Sequence, residues 1–277
     1  MSIFVTGATG FIGSHMVNLA HEQGIEVVAH RRGPDSKPRV ALNREPQWVD
    51  GPLSEVSAAD LAGCSAVIHL AAHSANVPYD TLENCIEQNV NEPLKLFAAC
   101  KAAGIERFII AGSCFEYGES GARYEFIPVD APLEPTQSYP TSKAKASVAF
   151  SDFAREAGVE LLILRIFHVY GEGELATRFW PSLKAAAEKG EDFPMSAGDQ
   201  VRDFVPVQFV AKTFIDALGR EDLQAGEPVI NNLGTGNPMS LREFAEREWK
   251  SFGASGRLLI GEVSTRPGEV MRFVPEL

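Results

Sequence analysis

The stretch Thr6-Gly7-Ala8-Thr9-Gly10-Phe11-Ile12-Gly13 follows a short apolar run at residues 2–5 and opens a segment with helical periodicity. Such a turn needs glycine because a side chain would keep the backbone away from a pyrophosphate, while the helix start offers free N–H groups and the positive end of the helix dipole. A plain tight turn is the alternative, but the strand before it and the helix after it favour dinucleotide binding. The predicted cofactor-binding residues of this turn are Gly7, Gly10, Phe11, Ile12 and Gly13.

Short runs rich in Val and Ile alternate with helical patterns along the first 167 residues. Strands are predicted at residues 2–5, 26–29, 66–70, 108–111 and 161–166, and helices at 13–23, 81–103 and 141–157. This alternation predicts an α/β fold with a doubly wound parallel sheet of the Rossmann type.

The pattern changes after residue 167, where helices are predicted at 179–189 and 240–252 and a strand followed by a helix at 204–218. We therefore predict a dinucleotide-binding Rossmann domain at 1–167, with 203–234 returning to it. Residues 168–202 and 235–277 are expected to form a small C-terminal substrate-binding lobe.

The 277 residues carry a formal net charge of −12. An acidic chain without clustered Lys and Arg is not expected to bind nucleic acid. The first apolar run is too short for a signal peptide or a membrane span, so we expect a cytoplasmic protein without membrane association. No metal site is predicted, because the cysteines lack metal-ligand spacing: Cys64, Cys85, Cys100 and Cys114.

The predicted second strand ends in His30-Arg31-Arg32, where an NAD-preferring site usually carries Asp or Glu for the ribose 2′-hydroxyl. Two guanidinium groups can instead pair with a 2′-phosphate. One charge-assisted hydrogen bond of roughly 1.5–3 kcal/mol would give a preference of about tenfold or more. We expect Arg31 and Arg32 to bind NADP(H), with NAD(H) as the alternative cofactor; a solvated loop is the other interpretation.

Tyr139 and Lys143 stand four residues apart, on one face of a predicted helix. A free tyrosine titrates near pH 10, and a nearby ammonium favours the phenolate, so Lys143 is expected to lower the pKa of Tyr139 and make it a general acid or base. A surface Tyr/Lys pair is the default alternative. Ser113 favours the catalytic interpretation, since it ends a predicted strand and strand carboxyl ends face the ligand crevice in such sheets.

Taken in order, these motifs resemble the extended short-chain dehydrogenases/reductases that act on nucleotide sugars. The resemblance rests on the glycine turn, His69-Leu70-Ala71-Ala72, Asn89, Ser113 to Gly118, Tyr139, Lys143, Arg165 to Gly171 and Arg202-Asp203-Phe204, and covers nearly the whole chain. It implies that Tyr139 exchanges a proton with a sugar oxygen, that Ser113 hydrogen-bonds the same oxygen, and that Lys143 binds the nicotinamide ribose. It also implies further cofactor contacts at Leu70, Ala71 and Ala72, and substrate contacts at Arg202 and His168.

Two departures from the family pattern are informative. The 4,6-dehydratases of the family carry Asp and Glu directly after the Ser/Thr, where this chain has Cys114 and Phe115. Glu116 comes one place later and is expected to point the other way on an extended segment, which disfavours dehydration. His168 stands where relatives often carry Asn.

The preferred functional hypothesis is an NADP(H)-dependent reductase of a nucleotide-activated sugar, such as an NDP-4-keto-6-deoxyhexose, because an exchanging cofactor is commonly NADPH. A nucleotide-sugar 4-epimerase that retains NAD is the alternative. A reductase of a non-sugar carbonyl ranks third, and a non-catalytic dinucleotide sensor is disfavoured by the Tyr139/Lys143 pair. Because relatives often pair through two long helices, we expect a homodimer formed through residues 81–103 and 141–157.

Overall fold

The computed structural model describes residues 1–265 and 269–277. The helices are α1 (Phe11–Glu22), α2 (Leu82–Ile86), α3 (Glu92–Ala102), α4 (Ser138–Ala157), α5 (Phe179–Lys189), α6 (Val207–Asp216) and α7 (Leu241–Ser251). The strands are β1 (Ser2–Thr6), β2 (Glu26–Arg31), β3 (Gln47–Asp50), β4 (Cys64–His69), β5 (Arg107–Ser113), β6 (Glu160–Ile166), β7 (His168–Tyr170), β8 (Phe193–Met195), β9 (Val201–Pro206), β10 (Val229–Leu233), β11 (Pro238–Ser240), β12 (Leu258–Ile260) and β13 (Arg272–Phe273).

The main sheet has seven strands in the order β10-β6-β5-β4-β1-β2-β3. Every neighbouring pair in it is parallel. The chain winds outward from β1 in both directions, so the strand order reverses between β1 and β4, where ligands bind in such sheets. The predicted doubly wound parallel sheet is confirmed.

Helices cover both faces of the sheet, because its strands are apolar on both sides. On one face α1 and α6 pack together, with Met16, Val17 and Phe214 fully buried. On the other face α3 and α4 contribute Phe97 and Phe150, whose ring centroids lie 4.8 Å apart. The result is a three-layer α/β/α arrangement that holds the carboxyl ends of the strands rigidly at one edge.

The remaining strands lie outside this sheet. β7, β9, β11 and β13 form a second sheet, and β8 pairs with β12. Beside them, α5 and α7 enclose a separate apolar cluster that includes Leu183, Met195 and Trp249. The predicted domain division stays a prediction, and Arg266, Pro267 and Gly268 of its 235–277 segment lie outside the described residues.

The predicted helix at 81–103 is divided by a π-helical turn, Glu87–Asn91, between α2 and α3. Strand β3 was not predicted, since four residues with only Trp48 and Val49 apolar give little periodicity. No helix among residues 1–265 and 269–277 is both long and apolar enough to cross a membrane.

Candidate functional site

A cleft of about 1280 Å³ opens at the carboxyl edge of the main sheet, around the point where the strand order reverses. Its walls come from the glycine turn after β1 and from the ends of β2, β4, β5 and β6. The first turn of α4 and the segment after β7 complete it. Every site residue predicted from the sequence except Arg202 lines this cleft.

The glycine turn is packed too tightly for side chains. A Cβ on Gly13 would lie 2.1 Å from the carbonyl oxygen of Gly7, and one on Gly7 would lie 2.6 Å from the backbone nitrogen of Ala71. Gly7 also has a φ of +71°, which disfavours any residue with a side chain. The turn therefore leaves bare backbone at the start of α1, a cradle that fits the pyrophosphate of a dinucleotide.

At the end of β2, the two arginines differ in their surroundings. Arg31 donates from Nε to Oδ1 of Asp50 at 2.6 Å, and its guanidinium lies 4.6 Å from the centre of the Trp48 ring. Arg32 is exposed and lines the cleft. Strand β3 therefore supplies a carboxylate that already holds Arg31, and the pairing of Arg31 with a 2′-phosphate stays a prediction.

Ser113 meets Tyr139 and Lys143 in the cleft, although Ser113 lies on a strand and the other two lie on a helix. Ser113 ends β5, and α4 begins at Ser138, which places Tyr139 in its first turn and Lys143 one turn later. All three side chains are buried. Lys143 donates from Nζ to the carbonyl oxygen of Ala111 at 2.7 Å, which holds the ammonium beside the end of β5.

The pKa of Tyr139 is shifted opposite to expectation. Burial raises it, the negative charge of Glu116 raises it further, and a hydrogen bond with Ser113 lowers it. Burial also lowers the pKa of Lys143. The prediction that Lys143 lowers the pKa of Tyr139 is therefore wrong. Tyr139 carries its proton at neutral pH.

Glu116 is placed differently from expectation. Residues Cys114–Tyr117 form a 3₁₀ turn rather than an extended segment, and Ser113 and Glu116 form a capping box. The carboxylate is fully buried and lies outside the set of cleft-lining residues. It thus lacks the exposure that an eliminating acid or base needs, although the predicted reason, an extended backbone, was wrong.

The π-helical turn places Asn89 behind the cleft. Its side chain accepts the backbone N–H of His73 at 2.7 Å and donates to Oγ of Ser142 at 2.9 Å. Ser142 lies between Tyr139 and Lys143 in α4, so Asn89 ties that helix to the segment after β4.

The two predicted substrate contacts differ in position. His168 lines the cleft, and its Nδ1 is buried with no hydrogen-bond partner among the described residues. Burial lowers its pKa to about 3, so the ring is neutral. Arg202 does not reach the cleft, because its side chain pairs with Glu269 at 2.6 Å and donates to the carbonyl oxygen of Val270.

Glu174 and Arg178 are among the cleft residues that were not predicted from the sequence. Glu174 has a side chain only 9% exposed, and within the described part of the chain its Oε2 has no hydrogen-bond partner. Burial raises its pKa to about 7. Arg178 donates to Glu174 at 3.4 Å and is 43% exposed, so it presents a positive charge where Arg202 was expected to. Both residues lie in or just after a loop of alternating Gly and Glu. Such a loop has no helical or strand periodicity from which they could have been predicted.

Comparison with known proteins agrees with this architecture. A family model described as the NAD dependent epimerase/dehydratase family matches residues 3–234. UDP-glucose 4-epimerase of Corynebacterium glutamicum is 28% identical, with 89% of this chain aligned to 79% of that protein. CDP-abequose synthase of Salmonella muenchen is 26% identical, with 97% of this chain aligned to 87% of that one.

Among solved structures, MoeE5 in complex with UDP-glucuronic acid and NAD superposes with a TM-score of 0.82 at 28% identity. The match covers all of this chain and 90% of the other. The family model spans most of the sequence, and the glycine turn, the strand order and the position of the cleft agree with it. The protein therefore belongs to the NAD dependent epimerase/dehydratase family, which is part of the extended short-chain dehydrogenases/reductases.

Proposed function

We propose that this enzyme transfers a hydride between a nicotinamide dinucleotide and an oxygen-bearing carbon of a nucleotide sugar, with Tyr139 exchanging the proton. The observation that carries the proposal is the convergence of Ser113, Tyr139 and Lys143 on one cleft beside the glycine turn. The dinucleotide, when bound, supplies or accepts the hydride, and the protein supplies binding, orientation and the proton.

Each of the three side chains has a role that suits its surroundings. Tyr139 keeps its proton at neutral pH because burial and Glu116 raise its pKa, so it is ready to donate to a carbonyl oxygen. The Ser113 hydroxyl, within reach of the Tyr139 phenol, stabilises negative charge that develops on the same oxygen. Lys143 is suited to contact the nicotinamide ribose, since the carbonyl oxygen of Ala111 holds its ammonium beside the end of β5.

We infer that the preferred direction is reduction with NADPH, of a substrate such as an NDP-4-keto-6-deoxyhexose. A basic rim supports this choice: Arg32, Lys37 and Arg39 line the cleft on the side of β2. A 2′-phosphate could pair with Arg32 without breaking the contact between Arg31 and Asp50. The protonated state of Tyr139 also suits a reaction that begins by protonating an oxygen.

A nucleotide-sugar 4-epimerase is the second candidate, and different observations favour it. The family is described as NAD dependent, and the relative from Corynebacterium glutamicum is a UDP-glucose 4-epimerase. Asp50 ends β3 directly before Gly51, which lines the cleft, and its carboxylate is an acceptor that suits a ribose hydroxyl better than a phosphate. An epimerase would use the same three side chains in both directions.

Cofactor binding separates the two candidates. The purified protein is first examined by native mass spectrometry for a retained dinucleotide and then titrated with NADPH and NADH. A reductase is expected to bind NADPH about tenfold or more tightly than NADH, and Arg32→Ala should abolish that difference, since one phosphate contact accounts for it. Tightly retained NAD without an NADPH preference would favour the epimerase, and no binding of either would contradict both.

We also infer a homodimer formed through α2, α3 and α4. Val148 on α4 is 56% exposed and Leu82 on α2 is 43% exposed, so both helices present apolar side chains outward. Analytical ultracentrifugation of the protein and of Val148→Glu tests this: the variant is expected to shift towards monomer, and a wild-type monomer would contradict the inference.

A further inference from the structure

A buried carboxylate connects β5 and α4, the two elements that carry the proposed catalytic trio, with the neighbouring strand β6. Oε1 of Glu116 accepts the backbone N–H of Ser113 at 2.7 Å. Oε2 accepts the hydroxyl of Ser147 at 2.7 Å and Nε of Arg165 at 2.9 Å. The donors belong to β5, α4 and β6, so one side chain joins the two strands to the helix.

The contact with Ser147 matters because of its position on α4. Ser147 lies four residues after Lys143 and eight after Tyr139, one and two helical turns away along the same face. A helix moves as a unit over so short a distance, so fixing Ser147 also fixes how far Tyr139 and Lys143 stand from Ser113.

Stability alone is a weak reason for this arrangement. Glu116 is fully buried and the Arg165 side chain is 4% exposed, and removing two charges from water costs about as much as their attraction returns. Arg165 also donates to the Tyr117 hydroxyl and to the carbonyl oxygen of Val129. Several hydrogen bonds therefore hold the carboxylate and the guanidinium in one geometry.

We propose that Glu116 is a positioning residue, whose carboxylate sets the placement of Ser113 relative to Tyr139 and Lys143 and whose negative charge acts on both of the latter. The proposal rests on the proposed function for its kinetic consequences, but its electrostatic consequence can be measured without turnover.

The sign of that electrostatic effect follows from the charges around the trio. Glu116, Tyr79 and Cys114 all raise the pKa of Tyr139, and Ser113 lowers it by hydrogen bonding. Glu116 also raises the pKa of Lys143, against the larger effect of burial. Removing the negative charge should therefore lower both pKa values.

Glu116→Gln tests the charge. In the full-length protein, lysine labelled with ¹³C at Cε reports the titration of Lys143 by NMR, with the signal assigned through Lys143→Arg. We expect the Lys143 midpoint to fall by about one pH unit in Glu116→Gln, the lower end of the shifts that a nearby charge produces. In the reductive direction, the upper pKa in the pH profile of kcat/KM reports Tyr139. This pKa should also be lower in Glu116→Gln than in the wild type.

Two further variants separate charge from structure. Glu160 pairs with Arg107 at 2.6 Å across the same two strands, at the end remote from Ser113, so Glu160→Gln should leave both midpoints unchanged. Ser147→Ala keeps the carboxylate and removes one hydrogen bond, so kcat should fall several-fold while the Lys143 midpoint stays. If Glu116→Gln does not fold, the double variant with Arg165→Gln replaces it, with downward shifts that are smaller, because the lost guanidinium charge opposes the lost carboxylate charge.

An unchanged Lys143 midpoint in a folded Glu116→Gln or double variant, or an equal shift in Glu160→Gln, would overturn the electrostatic role. Unchanged kcat in both Ser147→Ala and Glu116→Gln would overturn the positioning role. Failure of the proposed function itself appears elsewhere, as normal turnover in Tyr139→Phe, and leaves the NMR titration able to decide the charge effect.

Discussion

Cofactor choice is expected to depend on a carboxylate outside the glycine turn. Asp50, at the end of β3, is 44% exposed and contacts Arg31 at 2.6 Å, while Trp48 covers the guanidinium from one side. Asp50→Asn keeps an oxygen that accepts from Arg31 and removes the negative charge. A 2′-phosphate near Arg32 would then meet an additional uncompensated cation, so NADPH should gain affinity relative to NADH.

The size of this effect is limited by solvent. Two unit charges about 4 Å apart interact by about 1 kcal/mol in water, and by about 4 kcal/mol at an effective dielectric constant of 20. Because Asp50 is nearly half exposed, the lower figure applies. With about 1.4 kcal/mol corresponding to a factor of ten, the ratio of NADPH to NADH affinity should rise about fivefold.

Fluorescence titration of both reduced dinucleotides at low and high salt measures the ratio. The gain should shrink at high salt, because the screening length falls from about 30 Å at 0.01 M to about 3 Å at 1 M, which is shorter than the separation of about 4 Å used above. Asp192→Asn, which removes a surface carboxylate paired with Arg257, serves as the matched control and should change nothing. A ratio that is unchanged or lower in Asp50→Asn would refute the reasoning. It would mean that the 2′ group of the cofactor does not lie near Arg31 and Arg32.

Three other perturbations have defined outcomes. Gly13→Ala should weaken dinucleotide binding by tenfold or more and destabilise the fold by about 1–3 kcal/mol, because its Cβ would lie 2.1 Å from the Gly7 oxygen. Dinucleotide titration and thermal unfolding test this, and normal binding would contradict it. Glu174, with a folded pKa of about 7 against 4.5, binds a proton more tightly when folded, so stability is lost as pH rises from about 4.5 to 7. Glu174→Gln should therefore raise the free energy of unfolding at pH 8 by up to about 3 kcal/mol and flatten its pH dependence, and a variant less stable at pH 8 would refute this. Arg178→Ala should raise KM for a nucleotide diphosphate sugar about tenfold with little effect on NADPH binding, and an unchanged KM would remove Arg178 from the substrate site.

Much of the fold was predictable because its signals are local. The fold class followed from the glycines at 7, 10 and 13 and from five apolar runs. The predicted bounds of the central strands agree with the observed bounds to within a few residues. β3 and β10 were missed because short, partly polar strands at sheet edges lack the periodicity that marks buried ones. Those edges are defined by tertiary pairing that a single sequence does not reveal.

The site was predicted where a motif fixes the geometry and missed where the tertiary structure does. Ser113, Tyr139 and Lys143 lie together as expected. The pairing of Arg31 depends on Asp50, nineteen residues later on the unpredicted strand. The burial of Glu116 depends on Ser147 and Arg165, which no spacing rule connects to it. Sequence therefore indicated which chemistry to look for, and packing decided which charges are free to take part.

The proton role of Tyr139 is the central claim, and one comparison tests it most directly. Wild-type protein and Tyr139→Phe are assayed for hydride transfer between a nicotinamide dinucleotide and a panel of nucleotide sugars, with dinucleotide affinity measured in parallel. The wild type should turn over at least one nucleotide sugar, and the variant should lose about 10²–10⁴-fold in kcat while binding the dinucleotide normally. A variant that turns over at the wild-type rate would contradict the account.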